Sequence, residues 1–99
     1  MPQRNKSGTA LLILDMISDY RYPDGNRIVR SARKAAPNIA RLRERVHAAG
    51  MPVIYANDTA GKWESDQKAF IDRCLQPESL GRQIVQLLAP RPEDSFMFK

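Results

Sequence analysis

Apolar and polar positions fall in blocks along this chain, and the length and period of each block predict an element. Ala10-Leu11-Leu12-Ile13-Leu14 is an unbroken apolar run that ends at Asp15. A run so short and continuous predicts a strand buried on both faces, as in a parallel sheet. Tyr22-Pro23-Asp24-Gly25-Asn26 predicts a turn that breaks any regular element. Ile28, Ala32, Ala35, Ile39, Leu42, Val46 and Ala49 then recur at alternating steps of four and three, which draws one apolar stripe along a long helix. Gly50 suits its C-terminal cap, and Pro52 follows shortly. Pro37 interrupts the pattern, yet the stripe keeps its phase across it, which predicts one kinked helix. Pro52-Val53-Ile54-Tyr55-Ala56 reads as a second strand, closed by Asn57-Asp58. Ser65 or Asp66 can cap a short helix carrying Phe70, Ile71, Cys74 and Leu75. A second short helix carries Leu80, Ile84, Val85, Leu87 and Leu88 and stops at Pro90. Ser95-Phe96-Met97-Phe98 is the last strand, with Lys99 at its end.

Strand, long helix and strand with short links is the βαβ unit. The whole predicts an α/β fold: half of a doubly wound, Rossmann-like parallel sheet with about three strands. Residues 1–8 read as a flexible N-terminus and 9–99 as the folded part. A strand order of 3-2-1 puts the first strand at an edge, although it is the most apolar of the three and carries no gatekeeping charge. More chain, or another chain, is therefore expected against it, and a homo-oligomer is one way to supply it.

At 99 residues the chain is one domain or part of one. No apolar stretch approaches membrane-spanning length, and Met1 to Ser7 lacks the apolar segment of a signal peptide. The cytoplasm is the default location, with no membrane partner. The single cysteine, Cys74, excludes an internal disulfide framework, and the single histidine, His47, excludes a multi-histidine metal site. The net charge of +5 admits an anionic partner. Much of it, however, comes from Arg27, Arg30, Arg33, Lys34, Arg41, Arg43 and Arg45, which lie outside the stripe of the long helix and read as a solvated face. No nucleic-acid motif accompanies them, so nucleic acid is not the expected partner.

The candidate chemistry sits at strand ends, where open α/β sheets place their ligands. Asp15 can be a general base, a lysine's partner or a cap for its own loop. Lys99 at the end of a later strand strengthens the first two readings, since an ammonium beside a carboxylate holds the acid ionised; alone it is a terminal lysine. Asn57 and Asp58 either orient a substrate or the acid, or serve as turn residues. Trp63 is either a pocket wall or packs its loop onto the body. Tyr20 and Tyr22 either line a pocket or enter the core. Cys74 reads as a small buried hydrophobe rather than a nucleophile. His47 suits the C-terminal dipole of the long helix and has no partner nearby in sequence.

Ala10-Leu11-Leu12-Ile13-Leu14-Asp15-Met16-Ile17-Ser18-Asp19-Tyr20 resembles the opening strand and acid motif of the isochorismatase-like cysteine hydrolases. Pro52 to Asp58 with Gly61-Lys62-Trp63 resembles the second-strand signature of one bacterial branch, and Asp94 to Lys99 the strand that carries the family's lysine. The resemblance runs in order from about Thr9 to Lys99. It implies a three-layer α/β sandwich around a parallel sheet, of which this chain covers the N-terminal half. It also implies a small amide or related compound as substrate and an Asp-Lys-Cys triad. Asp15 would take the thiol proton, Lys99 would favour the thiolate, and a cysteine beyond Lys99 would attack. Tyr20, Asn57, Asp58 and Trp63 would then contact substrate. Without that cysteine the 99 residues are expected to be inactive. The region after the second strand has no histidine, so neither a nicotinamidase-type metal nor any other cofactor is implied. Ile17 stands where many members carry glutamine, which leaves the substrate open.

Overall fold

The computed structural model describes residues 8–58 and 66–99. The element order is β1 (Leu11–Leu14), α1 (Gly25–Ala48), β2 (Val53–Asn57), α2 (Gln67–Cys74), α3 (Arg82–Leu88) and β3 (Ser95–Phe98). The three strands form one parallel sheet in the order β1-β2-β3, as the pattern predicts. Asp66 is the cap of α2, its carboxylate accepting the Lys68 N–H at 3.0 Å. Helix α1 runs unbroken through Pro37. It ends in a Schellman turn, with Gly50 in the left-handed region at φ 73° and its N–H on the His47 carbonyl. The Met51 N–H reaches the Val46 carbonyl at 3.1 Å, so the His47 and Val46 carbonyls are both satisfied by the turn.

The strand register sorts the sheet residues into two faces. Leu11, Ile13, Val53, Tyr55, Phe96 and Phe98 share one face. There they meet Val29, Ala32, Ala36 and Val46 of α1, Phe70 and Cys74 of α2, and Ile84, Val85 and Leu88 of α3 in a single cluster. Phe70 and Phe96 each meet the Phe98 ring edge-on, at 5.2 and 5.3 Å, an arrangement that suits the ring quadrupoles and fixes α2 on β3. The other face carries Leu12, Leu14, Ile54, Ala56 and Met97, and no described helix lies over it. Leu12 and Leu14 are 52% and 53% exposed. The expectation that the first strand is buried on both faces is therefore corrected for this chain: among the described residues one face of β1 is core and the other is exposed.

The stripe of α1 needs a second correction. Its buried residues are Gly25, Val29, Ala32, Ala36, Arg43 and Val46, while Ile28 and Leu42 are exposed. Ala32 and Val46 of the stripe are buried and Ile39 packs on the core, but Val29, Ala36 and Arg43 take the places of Ile28, Ala35 and Leu42, so the buried face is turned part-way from the stripe, and the helix starts three residues before Ile28. Arg43, read as part of a solvated face, is buried. Its guanidinium donates to the carbonyls of Leu87 and Ala89 and to the Tyr55 hydroxyl, each at 3.2 Å. Tyr55 in turn donates to the Leu88 carbonyl at 2.7 Å. A cation here closes the C-terminal carbonyls of α3, where the helix dipole favours positive charge. Arg43→Ala is expected to cost about 2–3 kcal/mol, the range for charge-assisted hydrogen bonds lost inside a protein. Arg43→Lys should recover only part, because an ammonium cannot reproduce the planar fork. Denaturant melts of the three proteins check this order.

His47 has a partner that sequence distance concealed. Its Nε2 lies 2.7 Å from Asp94 Oδ1, and both side chains are nearly buried. The other Asp94 oxygen accepts the Arg91 N–H at 2.8 Å, so Asp94 fixes the chain just before β3.

Candidate functional site

Parallel pairing brings the ends of all three strands to one edge of the sheet. The Asp15 N–H donates to the Ala56 carbonyl at 2.9 Å, and the Lys99 N–H to the Asn57 carbonyl at 3.0 Å. Asp15 and Lys99 thus flank the end of β2. Their side chains meet there: Lys99 Nζ is 3.1 Å from Asp15 Oδ2. The other carboxylate oxygen, Oδ1, accepts the Asp58 N–H at 3.0 Å. Each side chain of the pair is 49% exposed, so the contact contributes little to stability. Its interest lies in chemistry: an acid held in one orientation, beside a cation, at a strand end.

The loop after Asp15 is built against strain. Asp15, Tyr20 and Asp24 adopt left-handed backbone, at φ 56°, 57° and 67°, a conformation that Asp tolerates better than Tyr. Tyr20 is held in it by its N–H on Ser18 Oγ at 2.9 Å and by its hydroxyl on the Met16 carbonyl at 2.8 Å. The Leu80 N–H donates to the Asp19 carbonyl, and Arg21 Nη1 to the Glu78 carbonyl at 3.2 Å. Asp19 also lies 3.8 Å from Arg73. The loop is therefore tied to α2 and to the turn before α3. Two glycines make room for it. A Cβ on Gly25 would stand 1.8 Å from the Tyr20 carbonyl oxygen, and one on Gly81 would stand 2.0 Å from that of Ser18.

A cavity of about 460 Å³ opens beside the pair, lined by Asp15, Ile17, Ser18, Tyr22, Asn57 and Asp58. Asp15 and Asp58 thus come together at its wall, with Lys99 on Asp15. Asn57 borders the cavity but is buried, its side-chain amide donating to the Ile17 carbonyl. Tyr20 lies in the core, and of the two tyrosines Tyr22 is the one that lines this cavity. Trp63 lies outside the described residues. Ser18 and Ile17 join the lining through the same short link that carries Asp15, a signal present in sequence but indistinguishable there from loop packing. Cys74 is buried in the core, as its helical position predicts. Among the described residues no group of three His, Cys, Asp or Glu gathers that could hold a metal ion, and no helix is long and apolar enough to cross a membrane.

Burial raises the phenols of Tyr20, Tyr22 and Tyr55 above the ordinary tyrosine value. For Tyr22 the carboxylates of Asp15, Asp19 and Asp58 add to the shift, so its hydroxyl stays a neutral donor at the cavity wall. The linkage has one sign: below the unfolded value near 10 these groups are neutral in both states. Above it the unfolded chain releases protons that the folded chain holds, and stability falls as pH rises. Absorbance at 295 nm followed with far-ultraviolet circular dichroism is expected to show the buried phenols ionising together with unfolding, not before it.

The family model described as the Isochorismatase domain matches residues 9–99. The chain belongs to the isochorismatase family. An uncharacterized isochorismatase family protein of Bacillus subtilis (strain 168), YaaI, is 33% identical over 95 residues, which cover 96% of this chain and 51% of that protein. The chain thus spans about half the length of the curated relative it matches. No solved structure matches. The isochorismatase-family assignment and the parallel three-stranded sheet agree with the resemblance read from the strand-end motifs.

Proposed function

We propose that the isochorismatase-family protein to which these residues contribute is a cysteine hydrolase of a small amide or related compound, needing no metal. Asp15 is its acid, Lys99 its lysine, and a cysteine beyond Lys99 its nucleophile. The observation that carries this reading is the Asp15–Lys99 contact of 3.1 Å at the mouth of a cavity. In the proposed reaction Asp15 Oδ accepts the thiol proton, and the Lys99 charge stabilises the thiolate. The thiolate adds to the carbonyl carbon, the leaving amine takes a proton back from Asp15, and water cleaves the thioester. Asp58 and Trp63 are proposed to face substrate; Tyr20, in the core, and Asn57, its amide on the Ile17 carbonyl, are proposed to support the site from beneath.

The 99-residue chain alone is expected to release no ammonia from a panel of small primary amides. Combined with the C-terminal half of the Bacillus subtilis relative, it should release ammonia from any amide that the full-length relative cleaves. A stable, folded complex without turnover on that amide would sink the reading.

The bare sheet face favours a second point. Leu12 and Leu14 on one edge strand and Met97 on the other are about half exposed on the same sheet face, and contiguous apolar surface of this kind marks an interface. The proposed occupant is the remainder of a longer chain or, in its absence, a second copy, which would make the isolated chain a non-enzymatic, self-associating module. Leu12→Lys combined with Leu14→Lys should leave the melting temperature of the isolated chain nearly unchanged and remove concentration-dependent association in sedimentation velocity. The basic face of α1 as an anion-binding surface is the weaker alternative; salt-sensitive retention on heparin tests it.

A further inference from the structure

Asn57 is a polar residue in a place where the core is otherwise apolar, and it sits between the segment that carries Asp15 and the one that carries Lys99. It is the last residue of β2, 1% exposed. Its backbone carbonyl accepts the Lys99 N–H at 3.0 Å. Its neighbours hold Asp15: the Ala56 carbonyl takes the Asp15 N–H, and the Asp58 N–H donates to Asp15 Oδ1. Its side chain then reaches across to the Ile17 carbonyl, two residues beyond Asp15. A carbonyl accepts only, so the Asn57 Nδ2 must be the group facing it, and the amide orientation follows from chemistry. Asn57 Oδ1 is buried with no partner among the described residues, so the Ile17 contact is what the side chain is used for.

Asp15 needs such a tie. Its φ of 56° turns the chain sharply at the end of β1, a conformation that persists only where surrounding contacts over-determine it. Before the corner the β1–β2 ladder holds the chain. After it, the first side-chain tie from the sheet is the Asn57 amide on Ile17. The corner is therefore pinned on both sides by consecutive residues of the central strand.

We propose that Asn57 is a positioning residue, not a substrate contact: its amide fixes the corner at Asp15 so that one carboxylate oxygen faces the Asp58 N–H and the other faces Lys99. The inference takes Asp15 as the acid of the proposed hydrolase. Its test, however, reads geometry rather than turnover, so the two fail separately.

The reporter is the Asp58 backbone N–H, which Asp15 Oδ1 protects from exchange only while the acid is in place. Amide hydrogen exchange by NMR on the 99-residue chain gives its protection, and Asp15→Ala gives the unprotected value. Asn57→Ala should lower Asp58 protection at least tenfold, towards the Asp15→Ala value. The ladder amides of β2 and β3, the Lys99 N–H included, should keep theirs relative to global stability. Asn57→Leu keeps the branched shape without a donor and guards against a variant that simply unfolds; it should give the same selective loss. Unchanged Asp58 protection in both variants overturns the proposal. So does a parallel loss at every strand amide in both, which would make Asn57 merely structural.

Discussion

Asp15→Asn in the complemented enzyme is expected to lower kcat/KM by about 10²–10⁴, the range for a lost general base. The substitution is close to isosteric. The Asn side-chain oxygen can still accept the Asp58 N–H, so the loop after β1 should keep its course. What it cannot do is take a proton. Nor does it supply the negative charge that meets Lys99 Nζ at 3.1 Å. Because the pair is half exposed, little folding free energy rides on it, and the melting temperature should stay within a few degrees of the parent. Lys99→Met should show the same division, a large loss of turnover with little change in stability. The double variant should be scarcely worse than either single one, since groups that act as a unit give non-additive losses. A loss of stability matching the loss of activity would count against the proposed roles.

Gly25→Ala is expected to destabilise the chain by about 3 kcal/mol or more, at the upper end for overpacking. The new methyl would stand 1.8 Å from the Tyr20 carbonyl oxygen and 2.9 Å from its carbon, and backbone cannot yield as a flexible side chain can. Tyr20 is already held at φ 57° with its ring in the core, so the loop must move as a unit. For a domain of this size that cost corresponds to a fall in melting temperature of roughly 12–24 °C. Gly81→Ala meets the same loop from the other side, 2.0 Å from the Ser18 carbonyl oxygen and 2.7 Å from the Tyr20 ring. Once one glycine is replaced and the loop displaced, the second should cost much less, and thermal melts of both singles and the double check this coupling. Gly8→Ala meets nothing within 4 Å of its Cβ position but sits at φ 72°, so it reads the cost of left-handed backbone alone.

The elements themselves were legible along the chain because their causes are local. Continuous apolar runs made the strands, Asp66 capped α2, and Gly50 supplied the left-handed residue that ended α1. The placement of Asp15 and Lys99 at strand ends was also legible, because parallel pairing carries successive strand ends to the same edge of a sheet. The phase of α1 was not. The stripe through Ile28 and Leu42 has the better apolar pattern, yet the helix buries the face with Val29, Ala36 and Arg43. The carbonyls that welcome Arg43 belong to Leu87 and Ala89, more than forty residues away, and no local window contains them. The same distance separates His47 from Asp94.

Sequence alone therefore determined the element order, the strand-end acid and lysine, and the family. Only the tertiary structure decided that Leu12 and Leu14 stand exposed among the described residues, that Tyr22 and not Tyr20 borders the Asp15 cavity, and that Asn57 turns its amide inward to the loop. The reason is physical: periodicity and capping are set by neighbours within a turn or a strand. The burial of a polar group is set by partners that folding alone brings within hydrogen-bond reach.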